Sequence, residues 1–456
     1  MCGPKGSGKS TFGRLLANRF VTDRGNVKSN PWTDVLILDL DPGQPEFGPP
    51  GVISLNKISS PSLSPPFCHP ALEPVRSQLR SHAIASVTPA LDPTHFIECC
   101  LDLVSHYKGS TAHARLPLII NTPGWIQGTG LDILAELVKG AQPTEVIYMS
   151  HEGPEETVDI LKETCATPKV KIPFFTLPSQ PGDGPSSRTS LELRTMQTMS
   201  YFHLDWPSLS GPCPSWNPAP LTELRPWRVR YRGAGRGFAG ILCYDYQPPP
   251  FLVSEYLDGM VLALVKVQNK AAFRGLLGPS SLPSPSPSSS LPDDFSTRMD
   301  LDHHDDAAAG TAGIVLSPEG IPLIQNHTGQ TLAPEHSRCL GLVLVRGVDA
   351  ERGELLVLTP VPGDIIAEAA GGKDGREGLV LVGGKFDTPT WSYVEDLHRR
   401  AAGGGEGEED DEDEEGGNVA GKAVGMAGAE GLPYVEILGN RGKAGFVWRV
   451  RRDLGR

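Results

Sequence analysis

At 456 residues the chain is long enough for two or three domains, although 52 Gly and 43 Pro dilute a hydrophobic fraction of 39% and reserve part of it for loops. The formal net charge of −13 excludes a uniformly basic nucleic-acid-binding surface, but nine of the ten residues from Glu406 to Glu415 are acidic, and without them the balance is −4. Eight scattered Cys with no CxxC pair suit a reducing compartment, and no apolar run approaches the roughly 20 residues that span a bilayer, so a soluble, intracellular chain with no membrane partner is expected.

In chain order, residues 1–222 alternate short apolar runs with amphipathic stretches, the pattern of a parallel α/β sheet. Residues 35–40 (VLILDL), 118–121 (LIIN), 146–149 and 172–176 read as buried strands. Residues 10–20, 93–107, 131–138, 155–163 and 189–201 read as helices. From 223 to 456 the texture changes to strands without intervening helices, at 227–231, 238–244, 260–267, 340–345, 355–358 and 446–450. The fold class expected is therefore α/β, a P-loop parallel-sheet domain followed by a smaller β-rich C-terminal domain. A Ser/Pro segment at 278–306 and a Gly/acid segment at 402–431 read as disordered insertions.

Gly3-Pro4-Lys5-Gly6-Ser7-Gly8-Lys9-Ser10, continued by Thr11 into a helix, fits G-x-x-x-x-G-K-[ST] in full. The glycines let backbone N–H groups converge on phosphate oxygens, and the helix N-terminus adds partial positive charge. Lys9 reaches toward the β- and γ-phosphates and the Ser10 hydroxyl can hold Mg²⁺. A nucleoside triphosphate is expected, although only Met1 and Cys2 precede a loop that ordinarily follows a buried strand; a truncated sequence is expected, the alternative being another segment filling that position.

The strand at 35–40 ends in two carboxylates, Asp39 and Asp41, about 30 residues after the loop. One is suited to ordering Mg²⁺ and the other to accepting a proton from an attacking hydroxyl; the residues alone do not say which, and one of them can instead cap the Pro42-Gly43 turn. Thr122, Gly124 and Trp125 stand just past the strand at 118–121: a hydroxyl donor, a point of close backbone approach, and an indole face that can stack on a base or pack in a core.

Together GPKGSGKSTF (3–12), LDLDPGQPEFGPPG (38–51), NTPGW (121–125) and the run from Arg188 through Arg194 to His203 resemble the polynucleotide 5′-hydroxyl kinases, most closely their nucleolar branch in ribosomal RNA maturation. The resemblance implies ATP and Mg²⁺ as cofactors and RNA 5′-hydroxyl ends as substrate, with DNA as a further possibility. It implies Asp41 as the acid nearest the acceptor with Gln44 beside it, and Asp39 in support with Ser10 at the metal. It further implies a clasp of Thr122, Gly124 and Trp125, and an arginine lid of Arg188 and Arg194. An endoribonuclease partner and a nuclear, nucleolar location come with that branch. The β-rich domain that precedes the loop in the family is expected to lie outside this sequence. Two rival readings keep the loop without the transfer: a nucleotide-driven switch, against which the N-K-x-D pattern is lacking, and a non-catalytic scaffold for a nuclease.

Outside these motifs, Arg228, Arg230 and Arg232 share one face of a strand and can track a phosphate backbone or stand in solvent. His303-His304-Asp305-Asp306 falls in the Ser/Pro insertion and reads as linker, not as a metal site.

Overall fold

The structure, a computed structural model, describes residues 1–22, 34–69, 78–150, 153–166, 171–179, 188–205, 215–233, 236–277, 313–370, 378–387 and 395. The chain divides into two units, Met1–Tyr393 and Val394–Arg456. Of the second, only Glu395 is among the described residues, so the fold set out here is that of the first. The expected insertions at 278–306 and 402–431, the strand at 446–450 and the His303 cluster lie outside the described residues.

The first half runs α1 (Lys9–Thr22), β1 (Val35–Asp39), β2 (Val52–Ile58), β3 (Gln78–Ala83), α2 (Pro93–Gly109), β4 (Leu118–Asn121), α3 (Thr129–Ala141), β5 (Val146–Met149), α4 (Glu155–Cys165), β6 (Phe174–Leu177) and α5 (Ser190–Phe202). β1 and β4 pair in parallel with Asp39 opposite Asn121, and β5 pairs in parallel with β6. β2 and β3 add an antiparallel edge that the periodicity does not announce, giving the order β3-β2-β1-β4. Every side chain of β1 is buried, which is why it reads as a continuous apolar run. One face of the sheet packs Leu36, Leu38 and Leu55 against Phe96 and Leu103 of α2 and Ile133 of α3; the other packs Ile37 and Ile119 against Ala17 and Val21 of α1.

Met1 and Cys2 lie between β4 and β5. The Met1 amino group donates to Ile120 O (2.8 Å), Cys2 N donates to Ile147 O (2.9 Å) and Met149 N donates to Cys2 O (2.9 Å). These two residues thus connect the two parallel parts, beside an apolar cavity of about 540 Å³ lined by Leu38, Leu134, Val146 and Leu161 among others.

The second half begins with a short ladder of β7 (Leu204–Asp205) and β8 (Ser215–Trp216). It continues with β9 (Trp227–Arg230), β10 (Ile241–Cys243), α6 (Val253–Leu257), β11 (Val261–Val267), β12 (Ile314–Leu316), β13 (Pro322–Ile324), β14 (Ser337–Asp349), β15 (Glu354–Leu358), α7 (Gly363–Ala370) and β16 (Gly378–Gly383). Eight of these strands form one sheet in the order β12-β13-β10-β16-β11-β14-β15-β9. Two short helices, α6 and α7, interrupt a region expected to consist of strands alone.

The two halves share a core in which Val52, Ala83, Tyr201 and Phe202 pack with Val261, Val265 and Leu342. Polar groups at this seam are paired: Ser81 Oγ donates to Cys339 O (2.7 Å), Arg80 Nη2 to Pro334 O (2.6 Å) and Leu342 N to the Tyr201 hydroxyl oxygen (2.8 Å). Asp102 of α2 accepts from both Arg80 Nε (2.5 Å) and His82 Nε2 (2.8 Å). Burial alone would raise the Asp102 carboxyl, but those two partners hold it below its ordinary range.

Candidate active site

The loop Gly3 to Ser10 curls ahead of α1, with Gly3, Gly6 and Gly8 all at positive φ. Gly3 is fixed by space as well, since a Cβ there would stand 2.7 Å from Met149 O. Lys9 is buried and its Nζ donates to Pro4 O (2.9 Å), folding back across its own loop. Burial lowers the Lys9 ammonium from its usual value, and the negative charge of Asp41 opposes that shift. The Ser7 hydroxyl is buried with no partner among the described residues.

Asp39, the last residue of β1, is fully buried. Its Oδ2 accepts from Glu46 N (2.5 Å) and its Oδ1 from Asn121 Nδ2 (3.1 Å), so it ties the turn at 41–48 to the neighbouring strand. Burial, reinforced by the charge of Asp41, pushes its pKa up to about 7. Asp41 lies beyond the strand, half-buried, where Oδ1 accepts from Gly43 N (2.9 Å) and Gln44 N (3.2 Å). Burial raises its pKa as well, while those two N–H groups and the charges of Lys9 and Lys5 act the other way. The two aspartates therefore differ in kind: Asp39 is enclosed with both oxygens engaged, and Asp41 is held on the turn within electrostatic reach of the loop lysines.

Three connections gather the loop, the acid turn and the clasp. Asn121 Nδ2 donates to Ser10 Oγ (3.3 Å) as well as to Asp39. Thr122 Oγ1 donates to Met1 O (3.0 Å), which engages that hydroxyl with backbone at the foot of the loop. Gly124 lies so close to the loop that a Cβ would stand 2.8 Å from Lys5 N and Cα. Trp125 is half-buried and packs beside the sheet core, its indole against Gly130 of α3, where a Cβ would meet its Cγ at 2.6 Å.

The lid segment closes one side. Thr189 caps α5 in a reciprocal box with Glu192, and Lys5 Nζ donates to Ser190 Oγ (2.5 Å), so the first turn of α5 touches the phosphate loop directly. Arg188, immediately ahead of the cap, is exposed. Arg194 instead pairs with Asp387, Nε to Oδ2 at 2.5 Å, so the structure does not aim both lid arginines at one point. Gln197 of α5 donates to Pro45 O (2.8 Å) and Gly48 O (2.6 Å), clamping the acid turn from behind. Sequence reasoning passed over Asn121 and Gln197. The register neighbour of a strand-end acid was the available signal for the first; nothing local marks the second.

The basic face expected on β9 is largely spoken for: Arg228 and Arg230 both pair with Glu354 of β15, at 3.6 and 3.8 Å. Among the described residues no helix is long and apolar enough to cross a membrane, and no group of three or more His, Cys, Asp or Glu is placed to hold a metal.

A glycine-rich loop opening a helix, a strand-end acid in register with β4 and a capped helix touching the loop define a P-loop nucleotide-binding α/β domain. Residues 3–204 are matched by the family model described as the mRNA cleavage and polyadenylation factor CLP1 P-loop. The chain is 40% identical over 474 aligned residues to Polynucleotide 5′-hydroxyl-kinase GRC3 of Gibberella zeae, covering 100% of this chain and 60% of that protein. It is 38% identical over 422 residues to the protein of the same name from Aspergillus oryzae, covering 88% of this chain and 50% of that one. The chain thus spans 50% to 60% of the length of these curated relatives, and the resemblance to the 5′-hydroxyl kinases is borne out. A solved structure described as an extended interface between Pcf11p and Clp1p is similar at 16% identity and a TM-score of 0.48, over 84% of this chain and 73% of that one.

Proposed function

We propose that the chain carries the catalytic domain of an ATP-dependent polynucleotide 5′-hydroxyl kinase. The observation that supports this most is the convergence of three motifs: the clasp glycine abuts the phosphate loop at Lys5, the amide of Asn121 joins Ser10 to Asp39, and Asp41 lies within electrostatic reach of Lys9. The residues fit a bound triphosphate, since the loop offers positive-φ glycines, a buried cation and an unpaired Ser7 hydroxyl. Ser10 and Asp39 would hold Mg²⁺, which would supply positive charge against the phosphates.

In this reading Lys9 exchanges the Pro4 carbonyl for phosphate oxygens. Asp41 takes the proton of the 5′-hydroxyl as the new P–O bond forms and the bond to ADP breaks. Its raised pKa suits a base, and the Gly43 and Gln44 N–H groups hold its carboxylate in place. Asp39 keeps the turn in register. Thr122 and Gly124 fix the clasp against the loop, and Trp125, with Gln44, borders the acceptor end. Arg188 and Arg194 close over the transferring group, Arg194 after leaving Asp387. RNA as the acceptor, a role in pre-ribosomal RNA processing with an endoribonuclease partner, and a nucleolar location rest on the branch that the motifs resemble.

The test is transfer of labelled γ-phosphate to a 5′-hydroxyl RNA oligonucleotide by the full chain, with a DNA oligonucleotide and water as competing acceptors. Label on the 5′ end supports the kinase. Release of free phosphate without end labelling overturns it in favour of a nucleotide switch.

A further inference from the structure

Asn121 closes β4 opposite Asp39, and its side chain is almost fully buried. Its amide nitrogen carries two hydrogens, and the structure gives each a target: Asp39 Oδ1 at 3.1 Å and Ser10 Oγ at 3.3 Å. With Asp39 ionised its oxygen only accepts, so the nitrogen faces Asp39 and the amide oxygen faces elsewhere. That oxygen, Oδ1, is buried and has no partner among the described residues. Ser10 Oγ, in turn, accepts from Asn121, which occupies one of its two lone pairs.

We infer that Asn121 is a positioning residue for the metal end of the nucleotide site, its N–H groups orienting Ser10 Oγ and Asp39 Oδ1, the two oxygens that would face the magnesium ion. The inference rests on the kinase reading only in so far as a magnesium nucleotide binds the loop; it is independent of the acceptor. It assigns to the strand end a function that the acid and the loop serine do not perform alone. Two oxygen ligands on different elements keep a common aim only if something rigid spans them, and Asn121 is the described side chain that touches both.

The experiment titrates the full chain with a non-hydrolysable ATP analogue, once with Mg²⁺ and once with EDTA, for the unchanged protein and for Asn121→Leu. The expected result is a roughly tenfold loss of affinity in the Mg²⁺ arm and no change in the EDTA arm. Equal loss in both arms, or none in either, makes Asn121 merely structural and overturns the inference. Should Asn121→Leu fail to fold, as judged by its thermal transition, Asn121→Ser is put through the same two arms with the same criterion. A wild-type chain that binds the analogue but transfers nothing to a 5′-hydroxyl end sinks the kinase reading while the two arms still decide Asn121. Wild-type binding of no nucleotide at all overturns both.

Discussion

The phosphate-loop end and the seam between the two sheets are both buried and polar, yet they are finished differently. At the seam, Arg80, Ser81, His82, Asp102 and Tyr201 have partners within the chain, and Arg338 Nε of β14 is buried without one. At the loop end, Ser7 Oγ and Asn121 Oδ1 are buried without partners, and Lys9 satisfies itself on its own loop. An unsatisfied buried group costs about 1–3 kcal/mol, and the loop end retains two of them close to Lys9. The seam holds the molecule together; the loop end is held by it.

Breaking the seam should therefore cost stability and leave the site's chemistry alone. Asp102→Ala takes the carboxylate from Arg80 Nε and His82 Nε2, and a loss of about 3–5 kcal/mol is expected in urea unfolding, with nucleotide affinity unchanged at temperatures where the variant is folded. The reverse is expected of Lys9→Ala. Removing a preorganised cation should slow phosphoryl transfer by about 10²–10³-fold, and the thermal midpoint should not fall, because Lys9 is already disfavoured as a buried charge. A fall in stability matching that of Asp102→Ala would erase the contrast.

His95 of α2 sharpens the comparison through pH. Burial lowers its pKa to about 4, below its ordinary 6.5, so the folded state holds it neutral. Its contribution is full above about pH 6.5 and is lost as pH falls toward 4, roughly 3 kcal/mol across that window. Unfolding measured at pH 7 and pH 4.5 should show a smaller acid loss in His95→Leu than in the unchanged chain, and parallel losses would contradict this assignment. The smallest effect belongs to Gly124→Ala. The added Cβ meets the Lys5 backbone at 2.8 Å, so about 1–3 kcal/mol of strain should appear as weaker nucleotide binding, read by the same analogue titration.

How much of this was legible depended on whether a residue's partner was near in sequence. The phosphate loop, the strand ending at Asp39 and the helix from Ser190 announce themselves, since a local pattern defines each. β2 does not: Ser54 and Asn56 break its apolar run, Asn56 Nδ2 donating to Ser54 Oγ and Ser54 Oγ to Phe47 O. The division of labour between Asp39 and Asp41 was equally hidden. A period of two puts them on one face of a strand, whereas the strand ends at Asp39 and only the turn fixes Asp41. Arg194 reads as a lid residue from its neighbours, but its partner Asp387 lies 193 positions away, and no local pattern encodes such a pair.

The most direct measurement is a crystal structure of the full chain with Mg²⁺, a non-hydrolysable ATP analogue and a short 5′-hydroxyl RNA. The β- and γ-phosphates are expected on the amides of residues 3–10, with the 5′-oxygen within hydrogen-bonding distance of the Asp41 carboxylate. An RNA end seated on any other face of the domain, with Asp41 facing only solvent, would contradict the account.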